Sequence, residues 1–380
     1  MLSTKFAIPD IIFGHGSITH LPQCARRVGA KRILFVSDNG LETAGWVDLV
    51  KEILKANSLD CVYFNNVDSN PRDCQVHEGA RLYEKEKCDV IIALGGGSPM
   101  DVAKGIGVIA GNGGQIRDYE GANQIMRPLP PMILIPSTAG SSSDISQYCI
   151  ITDMKRQVKM SIISRSLVSN ISIIDPQILV TQSRNMILAA AVDAMAHAIE
   201  SYVSKLASPF TEMQALKAIE LIIKNIRPAA DDNDIKAMEQ LSIASTAAGM
   251  SFSNAGLGAL HAIAHSLGGF YDVLHGRVHP VLLPPIMRYN MSACRKKMGE
   301  IGRQIAGSRL CPDNHLADVG IDILEELFTD LELDTKLRQL IPDKTHLETI
   351  CKVATRDACQ LTNPKDAHWQ DLLAVCEEAW

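Results

Sequence analysis

Five of the eleven histidines in this 380-residue chain fall between His197 and His279, the sharpest chemical signal in the sequence. Asp193 and His197 stand four residues apart in a helical stretch at 186–204, so both leave one face of one helix. His261 and His265 repeat that spacing on a second helix, and His275 and His279 follow a Gly-Gly-Phe-Tyr turn. Imidazole nitrogens combined with a carboxylate oxygen suit a borderline divalent cation such as Fe²⁺ or Zn²⁺. Spacing alone does not choose which four of these residues bind, because the His pairs compete with the Asp-His pair.

A second chemistry is written at the end of an apolar run. Residues 90–94 read as a strand that enters Gly95, Gly96, Gly97 and Ser98, after which 99–104 opens a helix. Glycines admit a phosphate close to the backbone, and the N–H groups of a first helical turn favour an anion there. In an α/β sheet such a turn lies at the carboxyl ends of the strands, where ligands bind. The spacing is not the GxGxxG fingerprint, so a standard Rossmann assignment does not follow. Asp38, behind a strand at 32–37, suits the hydroxyls of an adenine ribose, although taken by itself it reads better as the start of an Asp-Asn-Gly turn. A hydroxyl-rich run after another short strand carries Ser137, Thr138 and Ser141.

These groups require two kinds of scaffold. Short apolar runs at 32–37, 61–65, 89–94 and 132–135 alternate with helical spacing at 41–56, 73–87 and 99–110, which predicts helices packed on a mostly parallel sheet. After Asp175 and Pro176 the texture changes, and from about 182 onward one amphipathic helix follows another. The expected architecture is an α/β domain over 1–180 and an all-α domain over 181–380, with no internal repeat.

The bulk properties narrow the partners. With 37 basic and 43 acidic residues, a formal charge of −6 and a pI near 6.0, the chain lacks the basic footprint of a nucleic-acid binder. Ten cysteines, Cys311 among them, are spread without a CxxC pair, which points to reduced thiols in a cytosol. The N-terminal segment reads as no secretion signal, and the apolar runs stop far short of the roughly 20 residues needed to span a bilayer.

Several long motifs, in order, resemble the iron-containing, group III alcohol dehydrogenases. GGGSPMDVAK at 95–104 is similar to that family's GGGSxxDxAK, and PSTAG at 136–140 to its PTTAG loop. VDAMAHAIE at 192–200 resembles the segment with the first two metal ligands, and GALHAIAHSLG at 258–268 with LHG at 274–276 the segment with the other two. Asn363-Pro364 matches a late Asn-Pro. The resemblance implies an NAD-binding α/β domain, a helical metal domain and homo-oligomers. It implies Asp193, His197, His261 and His275 as ligands of Fe²⁺, with Zn²⁺ as the alternative, and His265 beside the metal as a proton relay. It further implies Asp38, Asn70, Gly96, Gly97, Ser98, Asp101, Ser137, Thr138, Ser141 and Lys159 at the nucleotide, with Asp38 selecting NAD over NADP. Tyr148, Phe252, Leu257 and Cys359 would shape a substrate pocket, and His279 stays outside the site. Two departures stand out: Ser141-Ser-Ser-Asp144 replaces Thr-Gly-Ser-Glu, and His279-Pro280 and Pro284-Pro285 occupy positions where Asn and a second His are common.

The implied reaction is reversible hydride transfer between a small primary alcohol and NAD⁺. A sugar-phosphate cyclase or glycerol-phosphate dehydrogenase on the same scaffold would need basic residues near the cation, and only Arg277 and Arg288 stand in that region of the sequence. A non-catalytic nucleotide-binding protein would bind NAD without metal.

Overall fold

The computed structural model describes residues 6–307 and 312–380; residues 1–5 and Cys311 lie outside them. The chain divides into two compact units, one covering Ala7–Ser183 and the other Arg184–Trp380 together with Phe6.

The first unit is built on six parallel strands: β1 (Asp10–Phe13), β2 (Arg32–Val36), β3 (Asp60–Phe64), β4 (Val90–Gly95), β6 (Met132–Pro136) and β9 (Ile171–Ile174). Their order is β1-β9-β6-β4-β2-β3. Alternate residues feed two cores, as a strand's period of two dictates. Ile33, Phe35, Ile92, Leu94, Ile133 and Ile135 belong to one cluster, and Leu34, Val36, Ile91, Ala93 and Leu134 to another. Strands buried on both faces therefore read as unbroken apolar runs. The helices are α1 (Leu21–Arg27), α2 (Asn39–Thr43), α3 (Trp46–Ala56), α4 (Asp73–Lys85) and α5 (Gly97–Asn112). Because β3 pairs with one side of β2 and β4 with the other, the winding reverses between β2 and β4. The crevice outside such a reversal is where doubly wound sheets bind ligands.

Two features differ from the sequence expectation. The helix expected over 41–56 is split into α2 and α3 at Gly45, whose φ of 85° no continuing helix accepts. A second sheet, ordered β5-β8-β7, joins β5 (Gly121–Ala122), β7 (Tyr148–Asp153) and β8 (Val158–Ile163), with β7 and β8 antiparallel. β1 and β9, at four residues each, are too short to show a period.

In the second unit no strand follows β9 among the described residues. Its helices are α6 (Arg184–Val203), α7 (Pro209–Asp231), α8 (Ile235–Ala255), α9 (Ala259–Tyr271), α10 (His275–Ala306), α11 (Leu316–Asp330), α12 (Leu347–Ala354) and α13 (Trp369–Glu378). Every residue of α6 from Ala191 to Val203 is buried, the mark of a central helix packed on all sides. Among the described residues α6 is the one helix long and apolar enough to cross a membrane, yet 83% of its apolar window is buried, packed on α7, α8, α10 and the rest of the unit. The helix α10 contains Pro280, Pro284 and Pro285 and is kinked at Cys294, where φ is −143° and ψ 33°.

α10 and α11 touch backbone to backbone. A Cβ on Gly302 would lie 1.9 Å from the Leu316 carbonyl oxygen, and one on Gly320 would lie 2.6 Å from the Gly302 Cα. Gly302→Ala should therefore cost about 1–3 kcal/mol through overpacking and lower the thermal midpoint followed by circular dichroism. Gly299→Ala, on the same helix with open space around it, should hold or raise the midpoint. Equal losses in both variants would contradict the packing account.

Candidate active site

In the first unit, the turns leaving β2, β4 and β6 supply Asp38, Gly96 to Ser98, and Ser137 to Ser141 from neighbouring strand ends. Two bonds lock these ends together: the Ser37 hydroxyl donates to the Leu94 carbonyl at 2.8 Å, and the Ser137 N–H donates to the Gly95 carbonyl at 2.8 Å. α5 starts at Gly97 with no side-chain cap, which leaves its first-turn N–H groups for an anion. A Cβ on Gly96 would lie 3.3 Å from Thr138 Cγ2 and one on Gly97 3.2 Å from Ser141 Oγ, so the glycine turn and the hydroxyl loop face each other closely. Lys159 Nζ donates to Asn70 Oδ1 at 2.7 Å, and the Ser98 hydroxyl donates to the Ser69 carbonyl at 2.6 Å, which joins two more of the predicted residues, Asn70 and Lys159, to Ser98 along one edge. Asp38 caps α2 by accepting from the Leu41 N–H at 3.0 Å, so it does start a turn.

Asp101 is engaged differently. Its carboxylate accepts from the Ile150 N–H and the Ser143 hydroxyl, both at 3.1 Å. Burial pushes this carboxyl up to about 6, against the opposing pull of Lys104. Lys104, itself fully buried, donates to the carbonyls of Ser146 and Tyr148 at 2.8 Å each. Together this pair braces the loop that follows Ser141, and Tyr148 enters β7 through that brace.

In the second unit, three helices each present residues at helical spacing to one point: Asp193, His197 and Glu200 on α6, His261 and His265 on α9, His275 and His279 on α10. Asp193 Oδ1 lies 3.6 Å from His197 Nε2, 3.7 Å from His261 Nε2, 3.9 Å from His275 Nε2 and 3.4 Å from His279 Nδ1. The donor atoms of Asp193, His261, His275 and His279 all lie within 4.8 Å of one another. His279, outside the ligand set that the sequence resemblance implies, is thus inside the cluster. The rings of His197 and His261 stack at 4.5 Å, and Phe252 covers the other face of His197 at 4.2 Å.

A divalent cation fits this donor set. Asp193 Oδ1 and His261 Nε2 are buried without a hydrogen-bond partner, as are both ring nitrogens of His279. Leaving a buried polar atom unbonded costs about 1–3 kcal/mol, a penalty that coordination removes. Burial pushes the Asp193 carboxyl up, but the surrounding imidazoles more than reverse this and hold it below the ordinary carboxylate range. Burial also pulls His261 down, while Asp193 and Glu200 lift it to about 9, so without a cation a proton supplies the positive charge. Burial drives His279 well below its ordinary value and keeps it neutral.

The carboxylate of Glu200 fixes the orientation of His261. It accepts from His261 Nδ1 at 2.6 Å, from the Gly258 N–H at 3.0 Å and from the Leu260 N–H at 2.8 Å. A carboxylate only accepts, so Nδ1 carries a proton in either state and Nε2 is the nitrogen that faces Asp193, protonated without a cation and a lone-pair donor with one. Asn363 Oδ1 takes the remaining Ala259 N–H at 3.1 Å and is clamped to Asn290 by a reciprocal amide pair at 2.9 and 3.1 Å. Gly258 is required here, since a Cβ would fall 2.6 Å from Asn363 Oδ1 and 2.7 Å from Glu200 Oε1. Next to this cluster, Asp357 accepts from His265 Nδ1 at 2.9 Å and from the Cys359 N–H at 2.8 Å. His265, Asp357 and Cys359 form a second tight trio, and Leu257 is buried with its carbonyl bonded to the Thr362 hydroxyl. Glu200, Asn290 and Asp357 were not singled out from sequence; only Glu200 left a trace there, seven residues after Asp193 on the same helical face. Glu200→Gln preserves shape but leaves one acceptor oxygen for three N–H donors, those of His261 Nδ1, Gly258 and Leu260, and so loosens the hold on the His261 tautomer. Its affinity for Zn²⁺, measured by chelator competition, should fall about 10- to 100-fold with the circular dichroism spectrum unchanged; undiminished affinity would remove Glu200 from this role.

Both units match one family along their length. The profile of iron-containing alcohol dehydrogenase matches residues 9–176, and that of the Fe-containing alcohol dehydrogenase family, C-terminal, matches residues 187–380. The chain is 34% identical to a 1,3-propanediol dehydrogenase of Citrobacter freundii over 99% of this chain and 98% of that protein. It is 33% identical to an NAD-dependent methanol dehydrogenase of Bacillus methanolicus over 99% of this chain and all of that one (100%). A crystal structure of a 1,3-propanediol oxidoreductase superposes with a TM-score of 0.96 at 33% identity, covering 100% of both chains. The sequence motifs, the parallel sheet with its glycine turn and the Asp-His cluster agree with these likenesses, and the chain belongs to the iron-containing alcohol dehydrogenase family.

Proposed function

We propose that this NAD- and metal-dependent alcohol dehydrogenase interconverts small primary alcohols and their aldehydes, with Asp193, His197, His261 and His275 holding the cation and His265 carrying the proton. The observation that carries this assignment is the buried Asp193 carboxylate ringed by imidazoles. When bound, the cation supplies Lewis acidity toward the alcohol oxygen, and the nicotinamide supplies the hydride acceptor. Glu200 keeps the Nε2 lone pair of His261 available throughout. Asp357 holds the proton on His265 Nδ1, so proton exchange with the hydroxyl or with water falls to Nε2. Phe252, against His197, offers an apolar wall, and Leu257 and Cys359 are assigned to the substrate pocket with it.

In the nucleotide unit, the uncapped start of α5 with Gly96, Gly97 and Ser98 is assigned to the pyrophosphate. Ser137, Thr138 and Ser141 line the cleft, Asn70 and Lys159 close one edge, and Asp101 acts by bracing the loop. Asp38 is assigned to the adenosine ribose. Phosphorylated substrates are disfavoured, because Arg277 is paired with Asp334 at 2.7 Å and Arg288 with Glu325 through two bonds of 2.7 and 2.8 Å. We place the enzyme in the cytoplasm as a homodimer or larger assembly; the nine described cysteines, all free thiols, support a reducing compartment.

A panel of alcohols and aldehydes run with NAD(H) and NADP(H), after reconstitution with Fe²⁺ or Zn²⁺, tests the substrate class. His261→Ala should lose bound metal and turnover together, and a metal-free yet fully active variant would sink the ligand assignment. Asp38→Gly should weaken NAD⁺ binding and shift preference toward NADP⁺, which a ratio of kcat/KM values reads directly; an unchanged ratio would dissociate Asp38 from the ribose.

A further inference from the structure

The side chain of His279 is fully buried and neither of its ring nitrogens has a hydrogen-bond partner. Nothing in its packing uses its polarity, yet its surroundings are those of a ligand. Its Nδ1 lies 3.4 Å from Asp193 Oδ1, and its ring centroid lies 4.8 Å from that of His261 and 4.5 Å from that of His275. It stands one helical turn after His275, so α10 aims both imidazoles at the same point. We propose that His279 is an additional ligand of the divalent cation, giving this chain four imidazoles and one carboxylate where three imidazoles and one carboxylate would suffice. The inference rests on the assignment of the Asp193 cluster as the metal site and extends it.

The extra donor changes which metal the site prefers. Zn²⁺ favours four-coordinate, tetrahedral sites, and a catalytic site must keep one position for substrate. Five protein donors plus a substrate oxygen exceed that number and suit Fe²⁺, whose sites accommodate several protein ligands together with open positions. Removing His279 should therefore weaken Fe²⁺ binding more than Zn²⁺ binding.

Co²⁺ is an informative probe, because its visible absorption strengthens as coordination number falls. Metal-free wild-type protein and His279→Asn would be titrated with Co²⁺, and their Fe²⁺ and Zn²⁺ affinities compared under anaerobic conditions. Expected are a Co²⁺ dissociation constant raised about 10- to 100-fold in the variant, a stronger d–d band, and an Fe²⁺-to-Zn²⁺ preference shifted toward Zn²⁺. An identical constant and spectrum in the variant would overturn the role of His279 while leaving the metal site intact. Failure of the wild-type protein to bind Co²⁺ would overturn both. Should the variant not fold, metal-edge X-ray absorption of the wild-type protein counts imidazoles: four support the inference and three overturn it.

Discussion

The charge on Asp193 governs the helical unit. A carboxylate buried in a helix that is apolar on all sides costs several kcal/mol unless a compensating charge sits beside it. Among the described residues its ion-pair partners are imidazoles, whose positive charge is optional. A proton on His261 can balance Asp193 until a cation replaces it. A cation placed there would also satisfy buried atoms that otherwise lack a hydrogen bond, namely Asp193 Oδ1, His261 Nε2 and both ring nitrogens of His279. The apolar burial of α6 and the imidazole ring are thus two sides of one constraint, since neither is tolerable without the other.

The nucleotide unit solves the opposite problem, the recognition of an anion, without concentrating cations. In the proposed function, backbone N–H groups at the start of α5, which has no side-chain cap, take the anion, and side chains mostly hold the backbone in place. Ser37 and Ser137 tie the strand ends, Asp101 and Lys104 brace the hydroxyl loop from behind, and Lys159 is tethered by Asn70. The mild net charge of the chain carried no information about this ligand for that reason. Position came instead from strand order, because the reversal between β2 and β4 puts Asp38 and the glycine turn beside one crevice.

What the sequence revealed and what it hid separate along physical lines. The glycine turn and the i, i+4 pairs of Asp193 with His197 and His261 with His265 were legible because their geometry is local. The strands β4 and β6 were legible because full burial removes polar residues altogether. Groups whose meaning depends on remote partners were silent: Glu200 meets His261 across 61 residues, Asn290 meets Asn363 across 73, and Asp357 meets His265 across 92. Each looks like an ordinary surface residue until the fold brings its partner. His279 is the intermediate case, since its spacing advertised it and family likeness set it aside, whereas burial beside Asp193 returned it to the cluster.

The hidden network explains how three helices can converge on one ion-sized point. Apolar packing fixes helices against each other, but ridges and grooves leave room for slips that a metal site cannot tolerate. Glu200 on α6 grips the first N–H groups of α9, and Asn363 grips the one between them while pairing with Asn290 on α10. Every helix that bears a cluster residue is therefore held by directional bonds within a few residues or a few turns of that cluster. The same bonds satisfy the first amides of α9, which lack intrahelical partners and would otherwise be buried unbonded. Two carbonyl-bearing side chains and a glycine thus perform one task that serves both stability and chemistry, and the late Asn-Pro segment, remote from the ligands in sequence, becomes part of the scaffold that places them.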